Sequence, residues 1–236
     1  MKRDLNLLEE KIGYKFRDKS LLKNALIHRS YGNENWKYKH INNERLELLG
    51  DAVLDLVVAE YLYINLASSP EGELARLKSM IVSEPVLSRV SKELGIGEYL
   101  LLSKGEEITG GRVRSSILGD VFEAVLGAIY LDSDYVSLRE IVLKHLKQWI
   151  DNIESDEEIL DYKTILQEHM QKEYKCTPVY ILSKEEGPDH NKTFEIIVKI
   201  GDDKIGVGVG KNKKNAEQLA AKDLLKKIEV LNNETL

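Results

Sequence analysis

The sequence is poor in cysteine and contains no long apolar run. Only one of its 236 residues is a cysteine, Cys176, which excludes an internal disulfide framework and a multi-cysteine zinc site and is typical of a reducing compartment. No segment approaches the roughly 20 apolar residues that cross a bilayer. The first residues, MKRDLNLLEEKIGYKF, have acids within their apolar pattern and no small-residue cleavage site, which argues against a secretory signal. We therefore expect a cytoplasmic protein without a membrane partner.

The sequence also lacks an excess of positive charge, because its formal net charge is −6. This sum alone argues mildly against a nucleic-acid partner. However, residues 1–150 contain 21 basic and 22 acidic residues, and residues 161–236 contain 13 of each. The deficit lies in DNIESDEEIL (151–160), which has five acids and no base. Local clusters of charge, rather than the total, therefore decide what the chain binds.

The spacing of apolar residues predicts two domains of different class. We expect an all-helical domain over 1–152, an acidic linker over 153–160, a small α-β-β-β-α domain over 161–230 and a frayed tail over 231–236. The first domain is predicted to contain a helix ending at Gly13, a long helix running to about Leu66 and a helix kinked near Pro85. The glycine-rich segment SKGEEITGGRVRSS is predicted to be a mobile loop.

In the second domain, the alternation of apolar residues predicts a strand in TFEIIVKI and another in KIGVGVGK. The expected apolar faces of these two strands are Phe194, Ile196, Val198 and Ile200, and then Ile205, Val207 and Val209. The closing helix is predicted to bury a stripe formed by Ala216, Leu219, Ala220, Leu224 and Ile228. Both helices of this domain should pack on one face of an antiparallel sheet.

The long predicted helix carries an unusual strip of acids in NERLELLGDAVLDLVV. At about 100° per residue, Glu44, Glu47, Asp51 and Asp55 fall within a strip of roughly 80°, while leucines and valines cover the other faces. An ordinary surface helix has the reverse pattern, a narrow apolar stripe beside a broad polar face. We therefore expect the helix to be surrounded by protein, with its acids facing a cleft. Crowded carboxylates of this kind usually bind a cation or take up protons.

A second apolar helix, SILGDVFEAVLGAIYLD, carries another pair of acids, Asp120 and Glu123. Two carboxylate pairs on two buried helices suit a hard divalent ion such as Mg²⁺, with Mn²⁺ as a substitute. Gly50 and Gly119 precede one aspartate on each helix, and their lack of a side chain is expected to let the helices approach closely. A ferritin-like di-iron site would require Glu-x-x-His motifs, and the sequence contains none. A Mg²⁺ site with open positions usually acts on phosphate esters.

These residues carry a resemblance to a known family. NERLELLGDAVL closely resembles the signature of the ribonuclease III family, whose members hydrolyse double-stranded RNA. Three further stretches agree with that family in the right order: PEGELARLKSMIVSE, GGRVRSSILGDVFEAVLGAIYLD, and the C-terminal DYKTILQE with GKNKKNAEQLAA. The resemblance therefore covers nearly the whole chain, and it implies a nuclease domain followed by a double-stranded RNA-binding domain.

The resemblance implies specific roles in the nuclease domain. The family's metal ligands match Glu47, Asp51, Asp120 and Glu123. Asp51 and Glu123 are also assigned to catalysis, together with the signature acid Glu44 and with Glu71, which the family's dimer brings near the cleavage cleft. Asp55 is outside the family pattern, and we interpret it as structural or solvated.

The resemblance also implies how the enzyme assembles and what it produces. A homodimer is expected to form through the helical domain, with Leu48 and Leu49 in its interface. Each subunit is expected to cut one strand, leaving 5′-phosphate and 3′-hydroxyl ends with a short 3′ overhang. Processing of ribosomal RNA precursors and of other RNAs is the usual role in the family.

The second domain is expected to hold duplex RNA without reading its sequence. Lys211, Lys213 and Lys214 lie at the start of the last helix, where Asn212 is a predicted N-cap and the helix dipole also favours phosphate. Two further groups are expected to meet successive minor grooves: Thr164, Gln167 and Glu168 in the first helix, and Pro188 and His190 in the turn GPDH.

Some alternatives remain open on the sequence alone. A non-catalytic double-stranded RNA-binding relative would be expected to lose some of the carboxylates, whereas all six positions here are acidic. Arg112 and Arg114 are equally consistent with contact to RNA phosphate and with a solvated loop. His28 is interpreted as a hydrogen-bonded structural histidine.

Overall fold

The chain forms two compact units, Met1–Ile159 and Leu160–Leu236. A computed structural model describes residues 4–152, 161–188, 192–201 and 204–228. The predicted acidic linker and the predicted frayed tail lie outside these described residues, so the exact domain boundaries stay predictions. Among the described residues, no helix is both long and apolar enough to span a membrane.

The first unit is helical, as the apolar spacing predicted. Its helices are α1 (Leu5–Ile12), α2 (Lys19–Ala25), α3 (Glu44–Asn65), α4 (Glu71–Ile81), α5 (Glu84–Leu94), α6 (Lys104–Ile108), α7 (Ser115–Asp132) and α8 (Tyr135–Asn152). Local sequence explains where α1 begins and ends. The side chain of Asp4 accepts a hydrogen bond from the backbone N–H of Asn6, and Gly13 closes the helix at φ 82°. The predicted end at Gly13 is confirmed.

The central helix of this unit is α7, which packs mainly against α3 and α5. Phe122, Val121 and Ile129 are fully enclosed by these neighbours. The expectation that protein also surrounds α3 is wrong for the single chain. One flank of α3 leaves Leu48, with 74% of its surface exposed, and Leu56 open to solvent. Helix periodicity alone does not reveal which apolar face the rest of the chain covers.

Two further predictions for this unit are corrected by the structure. The helix expected to kink near Pro85 is two helices, because α4 ends at Ile81 and α5 starts at Glu84 with Pro85 in its first turn, where proline costs no hydrogen bond. The predicted mobile loop consists of α6 and a 3₁₀ turn over Gly111–Val113. This segment is held by Arg112, whose guanidinium donates to the backbone carbonyl oxygens of Gly97 and Leu100 at 3.1 and 2.8 Å.

The second unit has the predicted order α-β-β-β-α. Its elements are α9 (Tyr162–Tyr174), β1 (Val179–Glu186), β2 (Thr193–Ile200), β3 (Lys204–Gly210) and α10 (Lys213–Lys227). The strands form an antiparallel sheet in the order β1-β2-β3. Both helices pack on one face of this sheet, and the core between them includes Leu166, Met170, Ile196, Val198 and Leu224.

The predicted common face of Ile205, Val207 and Val209 on β3 is confirmed, and it is the outer face of the sheet. Ile205, Val207 and Val209 point away from the helices and are exposed, while Gly206, Gly208 and Gly210 are buried against α10. A Cβ at Gly208 would lie 2.2 Å from the backbone nitrogen of Ala220, so only glycine lets α10 approach this strand. Close packing of helix backbone on strand backbone also explains why small residues, Ala216, Ala220 and Ala221, form much of the inner face of α10. Leu219, predicted to belong to that face, is exposed.

Candidate metal centre and RNA-binding surfaces

Helices α3 and α7 touch through their backbones at two glycines. A Cβ at Gly50 would lie 1.7 Å from the carbonyl oxygen of Glu123, and a Cβ at Gly127 would lie 2.3 Å from the carbonyl oxygen of Leu46. The close approach predicted at Gly50 is therefore confirmed. The same prediction for Gly119 is wrong, because the nearest atom to a Cβ there is the Cγ of Glu84 at 3.8 Å, an ordinary contact.

The contact between the helices brings three acids together. Glu47 of α3 and Asp120 and Glu123 of α7 each offer a carboxylate oxygen, and these oxygens lie within 4.8 Å of one another. All three side chains are half-buried. Ligand oxygens around Mg²⁺ lie about 2.0–2.1 Å from the ion, hence up to about 4.2 Å apart. The group therefore has the donor type and nearly the spacing of a hard-cation site, and small side-chain rotations would close the difference.

The electrostatics of this group favour a bound cation. Burial, followed by the negative charges of Asp51, Asp120 and Glu47, raises the pKa of Glu123 to about 8. Burial and the charges of Asp120 and Glu44 also raise the pKa of Glu47. Each carboxylate therefore makes its neighbour's charge more costly, and a divalent cation among them would remove that cost.

The other acids of the predicted site lie around this group. Asp51 is exposed on α3, one turn beyond Glu47, and its charge acts on Glu123. Glu44 is exposed in the first turn of α3 and accepts a hydrogen bond from the side-chain amide of Asn42 at 2.9 Å. Glu71 is exposed in the first turn of α4 and is not a member of the three-acid group. Of the four predicted metal ligands, Asp51 is thus the one outside that group.

Asp55, the last acid of the strip, forms a hydrogen-bonded ion pair with Lys78 of α4. This contact joins α3 to α4. The interpretation of Asp55 as a structural residue is confirmed.

Three residues that sequence reasoning did not assign to the site act on it electrostatically. Burial and the charge of Glu84, at the start of α5, raise the pKa of Asp120. On another side, Arg29 lies 3.6 Å from a carboxylate oxygen of Glu44, and its positive charge partly offsets the raised pKa of Glu47 and of Asp120. These residues belong to other elements than α3 and α7, so helical periodicity gives no signal for them.

His28 is the third of these residues, and its ring is fixed by a hydrogen-bond network. Ring nitrogen Nδ1 accepts the backbone N–H of Ser30 at 3.3 Å and lies 2.8 Å from the Ser30 hydroxyl oxygen, which itself accepts the backbone N–H of Ser103 at 3.1 Å. Burial lowers the pKa of His28. The prediction of a hydrogen-bonded structural histidine is confirmed, and the ring lies within reach of the charge of Asp120.

The two arginines of the glycine-rich segment have partners within the protein. Arg112 binds Glu107 at 2.7 Å in addition to the backbone carbonyls described above. Arg114 pairs with Glu106 and also donates to Thr109. Both side chains therefore stabilise the turn that precedes α7, while Arg114 stays exposed to solvent; their contact with RNA phosphate stays a prediction.

Most of the predicted RNA contacts in the second unit lie on or next to exposed parts of its two helices. Lys211, Lys213 and Lys214 are exposed at the start of α10, and Asn212 caps that helix by accepting the backbone N–H of Asn215 at 2.8 Å. The predicted N-cap is therefore confirmed. The ammonium group of Lys213 also lies 5.9 Å from the ring centre of Phe194.

The first helix of this unit presents the second predicted group. Thr164, Gln167 and Glu168 are exposed on α9, and the Thr164 hydroxyl donates to the N-cap residue Asp161 at 3.0 Å. Pro188 is exposed after β1, while His190 lies outside the described residues. The lysines and the α9 group thus occupy the helical side of the unit, opposite the outer face of the sheet.

Comparison with known proteins gives matches to both units. A family model described as Ribonuclease-III-like matches residues 18–149, and one described as a double-stranded RNA binding motif matches residues 162–228. Ribonuclease 3 of Fusobacterium nucleatum is 56% identical over 229 residues, which are 97% of each chain. Ribonuclease 3 of Caldanaerobacter subterraneus is 47% identical over 227 residues, 96% of this chain and 99% of the relative.

A solved structure agrees with these matches. The nuclease domain of ribonuclease III from Campylobacter jejuni superposes with a TM-score of 0.58 at 41% sequence identity, covering 61% of this chain and 97% of that one. That structure is described as showing flexibility in a region involved in dimer formation.

Proposed function

Because the chain belongs to the ribonuclease III family, whose members are double-stranded-RNA endonucleases, we propose that its acid cluster holds Mg²⁺, with Mn²⁺ as a substitute, for the cleavage of duplex RNA. The observation that carries this proposal is the convergence of Glu47, Asp120 and Glu123 within 4.8 Å at the contact of α3 and α7. An all-oxygen donor set without histidine or cysteine suits a hard divalent ion.

Each acid has a definite role in this proposal. Glu47, Asp120 and Glu123 hold the ion, and Asp51, which is exposed beside them, completes the ligand set on the side open to RNA. Glu44 orients the cluster from its rim, where it contacts Asn42 and Arg29. A bound divalent ion would polarise a phosphate oxygen, lower the pKa of a coordinated water and stabilise the leaving oxygen. The half-buried position of the cluster strengthens these charge interactions relative to bulk water.

We further propose that two copies associate through the exposed flank of α3. Leu48 lies on this flank, and Leu49 is half-buried beside it. An apolar surface of this kind is typical of a protein interface. Pairing of two helical units is expected to bring Glu71 of each subunit toward a cleavage cleft. Each site then cuts one strand, giving 5′-phosphate and 3′-hydroxyl ends with a short 3′ overhang.

The second unit supplies affinity for the duplex. The lysines at the start of α10 are placed to bind phosphates, and Thr164, Gln167 and Glu168 to meet the ribose 2′-hydroxyls of one minor groove, with Pro188 and His190 meeting the next. Such contacts select A-form duplex geometry rather than sequence. In the cell, the proposed role is the processing of ribosomal RNA precursors and other structured RNAs in the cytoplasm.

The test separates cleavage from binding. Glu123→Gln keeps the size of the side chain and removes its charge, so cleavage of a labelled RNA duplex in Mg²⁺ should be abolished. Binding of the same duplex in Ca²⁺ should be nearly unchanged, because the RNA-binding unit is not altered. Cleavage by the wild-type protein should also stop in chelator. A variant that cuts at the wild-type rate would refute the assigned site, and a wild-type protein that binds duplex RNA without ever cutting it would be a non-catalytic relative.

A further inference from the structure

The outer face of the sheet in the second unit is the feature without an assigned role. Successive side chains of a strand point to opposite faces. On β2, Ile196 and Val198 point inward and are buried, so Glu195, Ile197 and Lys199 point outward. The register places Ile181 of β1 and Val207 of β3 on either side of Ile197.

The outer face carries apolar side chains on all three strands. Ile181, Val207 and Val209 expose 43%, 41% and 55% of their surface, and Val179 and Ile205 are exposed at one end of the same face. Lys184 and Glu186 of β1 also lie on this face, because they pair in register with Glu195 and Thr193. A sheet with helices on one side usually has polar side chains on the other. Here β3 does the reverse, with glycine inside and branched apolar residues outside. An exposed apolar surface of this kind is typical of an interface with another protein.

The surface is unsuited to RNA. The exposed lysines at the start of α10 and the polar residues of α9 lie on the opposite, helical side of the unit. The central strand β2 offers the outer face one acid and one base, four residues apart, with an isoleucine midway between them. Phosphate binding needs a concentration of positive charge, whereas this balanced pair suits a protein surface of matching pattern.

We propose that the outer faces of two copies of this unit pack against each other about a twofold axis beside Ile197, with the two β2 strands antiparallel. At about 3.4 Å per residue, Glu195 and Lys199 lie about 7 Å on either side of Ile197. If the axis lies between the two sheets, parallel to them and perpendicular to β2, Glu195 faces the second copy's Lys199. By symmetry, Lys199 faces the second copy's Glu195. An axis between the sheets but parallel to β2 would instead place Glu195 opposite Glu195 and Lys199 opposite Lys199. The charge pattern thus selects one arrangement.

The apolar residues match in the same arrangement. Ile197 and Val207 lie on the axis, so each faces its own counterpart. Val209 pairs in register with Glu195, and Ile205 pairs with Lys199. Val209 therefore faces the second copy's Ile205. Each contact is made twice, as a symmetric dimer interface requires. Face-to-face sheets pack about 10 Å apart with their strands at about −30°, so these side chains fill the space between them. The interface leaves α9 and α10 open, and two duplex-bound units are thereby joined.

The experiment uses the full chain and its single cysteine. In a Cys176→Ala background, Ile197→Cys places one thiol on the proposed axis, where a short bifunctional thiol crosslinker can bridge the roughly 10 Å between the sheets and join it to its counterpart. Val207→Cys provides a second position that also faces itself. Val179→Cys, at the edge of the face and opposite β1 residues other than itself, is the matched control. We expect crosslinking at positions 197 and 207 to be about tenfold faster than at 179, because only the first two thiols face their own counterparts across the interface.

Charge reversal then tests the pairing. Glu195→Lys or Lys199→Glu alone creates two like-charge contacts, and each is expected to slow crosslinking at position 197 about tenfold. The double reversal restores both opposite pairs and should return the rate to near that of the parent. Lys226→Glu, in the last turn of α10 on the opposite side of the unit, should change the rate little. Equal crosslinking at 197 and 179, or rates that do not recover in the double variant, would overturn the proposal. Duplex binding by each variant checks that the unit is folded.

Discussion

Substitution of two glycines by alanine provides the sharpest test of how α3 and α7 form the site. Gly50 and Gly119 each precede an aspartate of the predicted metal site. In an exposed helix, alanine is favoured over glycine by about 1 kcal/mol. At Gly119 the added Cβ has room, since its nearest neighbour lies at 3.8 Å. Gly119→Ala should therefore leave the free energy of unfolding unchanged or raise it by about 0.5–1 kcal/mol.

Gly50→Ala should have the opposite effect. The added Cβ would lie 1.7 Å from the carbonyl oxygen of Glu123 and 2.4 Å from its carbonyl carbon. Contact at about 3.4 Å requires the helices to separate by about 1.7 Å, and backbone atoms cannot rotate aside as a side chain does. Overpacking of this size costs about 3 kcal/mol or more, even after the gain in helix propensity. The midpoint of thermal unfolding should fall by roughly 10 °C.

The same displacement should impair catalysis, because the obstructing carbonyl belongs to Glu123. A shift of about 1 Å at a catalytic group can cost about a hundredfold in rate. We therefore expect duplex cleavage by Gly50→Ala to fall by about that factor at a temperature where the variant is folded, and Gly119→Ala to retain activity.

Tryptophan fluorescence gives a selective measure of stability. The chain has only two tryptophans, Trp36 and Trp149, and both belong to the helical unit. Urea unfolding followed by this signal therefore reports on the unit that contains α3 and α7. Equal midpoints for Gly50→Ala and the wild type, or an equal loss of stability in both alanine variants, would refute the reasoning.

Three further changes have expected outcomes. Glu123→Gln should raise the free energy of unfolding of the metal-free protein by about 2 kcal/mol at pH 8, since it removes a half-buried charge among like charges. Urea unfolding in the presence of chelator measures this gain, and a loss of stability would contradict the prediction. Burial raises the pKa of Asp132, but backbone N–H groups at 2.7 and 2.8 Å and the Tyr14 hydroxyl outweigh burial and hold that pKa below its ordinary value. The stabilisation by this carboxylate is therefore present above about pH 4 and is lost as the pH falls through its lowered pKa. Asp132→Asn should reduce the free energy of unfolding at pH 7 by about 2–3 kcal/mol. It should also make the loss of stability at acidic pH less steep. Lys214→Ala should weaken duplex binding. It should also reduce the steepness of the plot of log affinity against log salt concentration by about 0.9 for each phosphate that is no longer neutralised. Lys226→Ala, in the last turn of the same helix, is the control and should leave this slope unchanged.

The grouping of the acids on α3 and α7 was predictable from the sequence, because its signal is local. Helical periodicity alone places Glu44, Glu47 and Asp51 on one side of α3, and the same rule pairs Asp120 with Glu123 on α7. The resemblance to the ribonuclease III family rests on contiguous motifs and required no knowledge of packing. The helix end at Gly13 and the cap at Asn212 also depend on neighbouring residues only.

Predictions that depended on contacts between distant segments were less successful. Gly50 and Gly119 have the same local context in the sequence, a glycine before an acid in an apolar helix, yet only Gly50 meets the backbone of another helix. The glycine-rich segment before α7 was predicted to be mobile, but Arg112 fixes it through carbonyl groups that lie 12 and 15 residues away in the chain. Glu84 and Arg29 act on the acid cluster from elements that no periodicity connects to it.

Strand β3 shows most clearly what the sequence decides and what the tertiary structure decides. Its alternation of glycine with branched apolar residues determined that the segment is a strand and that its two faces differ. Which face is buried was decided by α10, because a helix backbone can lie directly on a strand only where no Cβ intervenes. The sequence by itself determined the family, the element types and which acids share a helix face. The tertiary structure alone decided which glycines carry helix contacts, which acids converge and which apolar faces stay open, because these depend on distances between segments far apart in the chain.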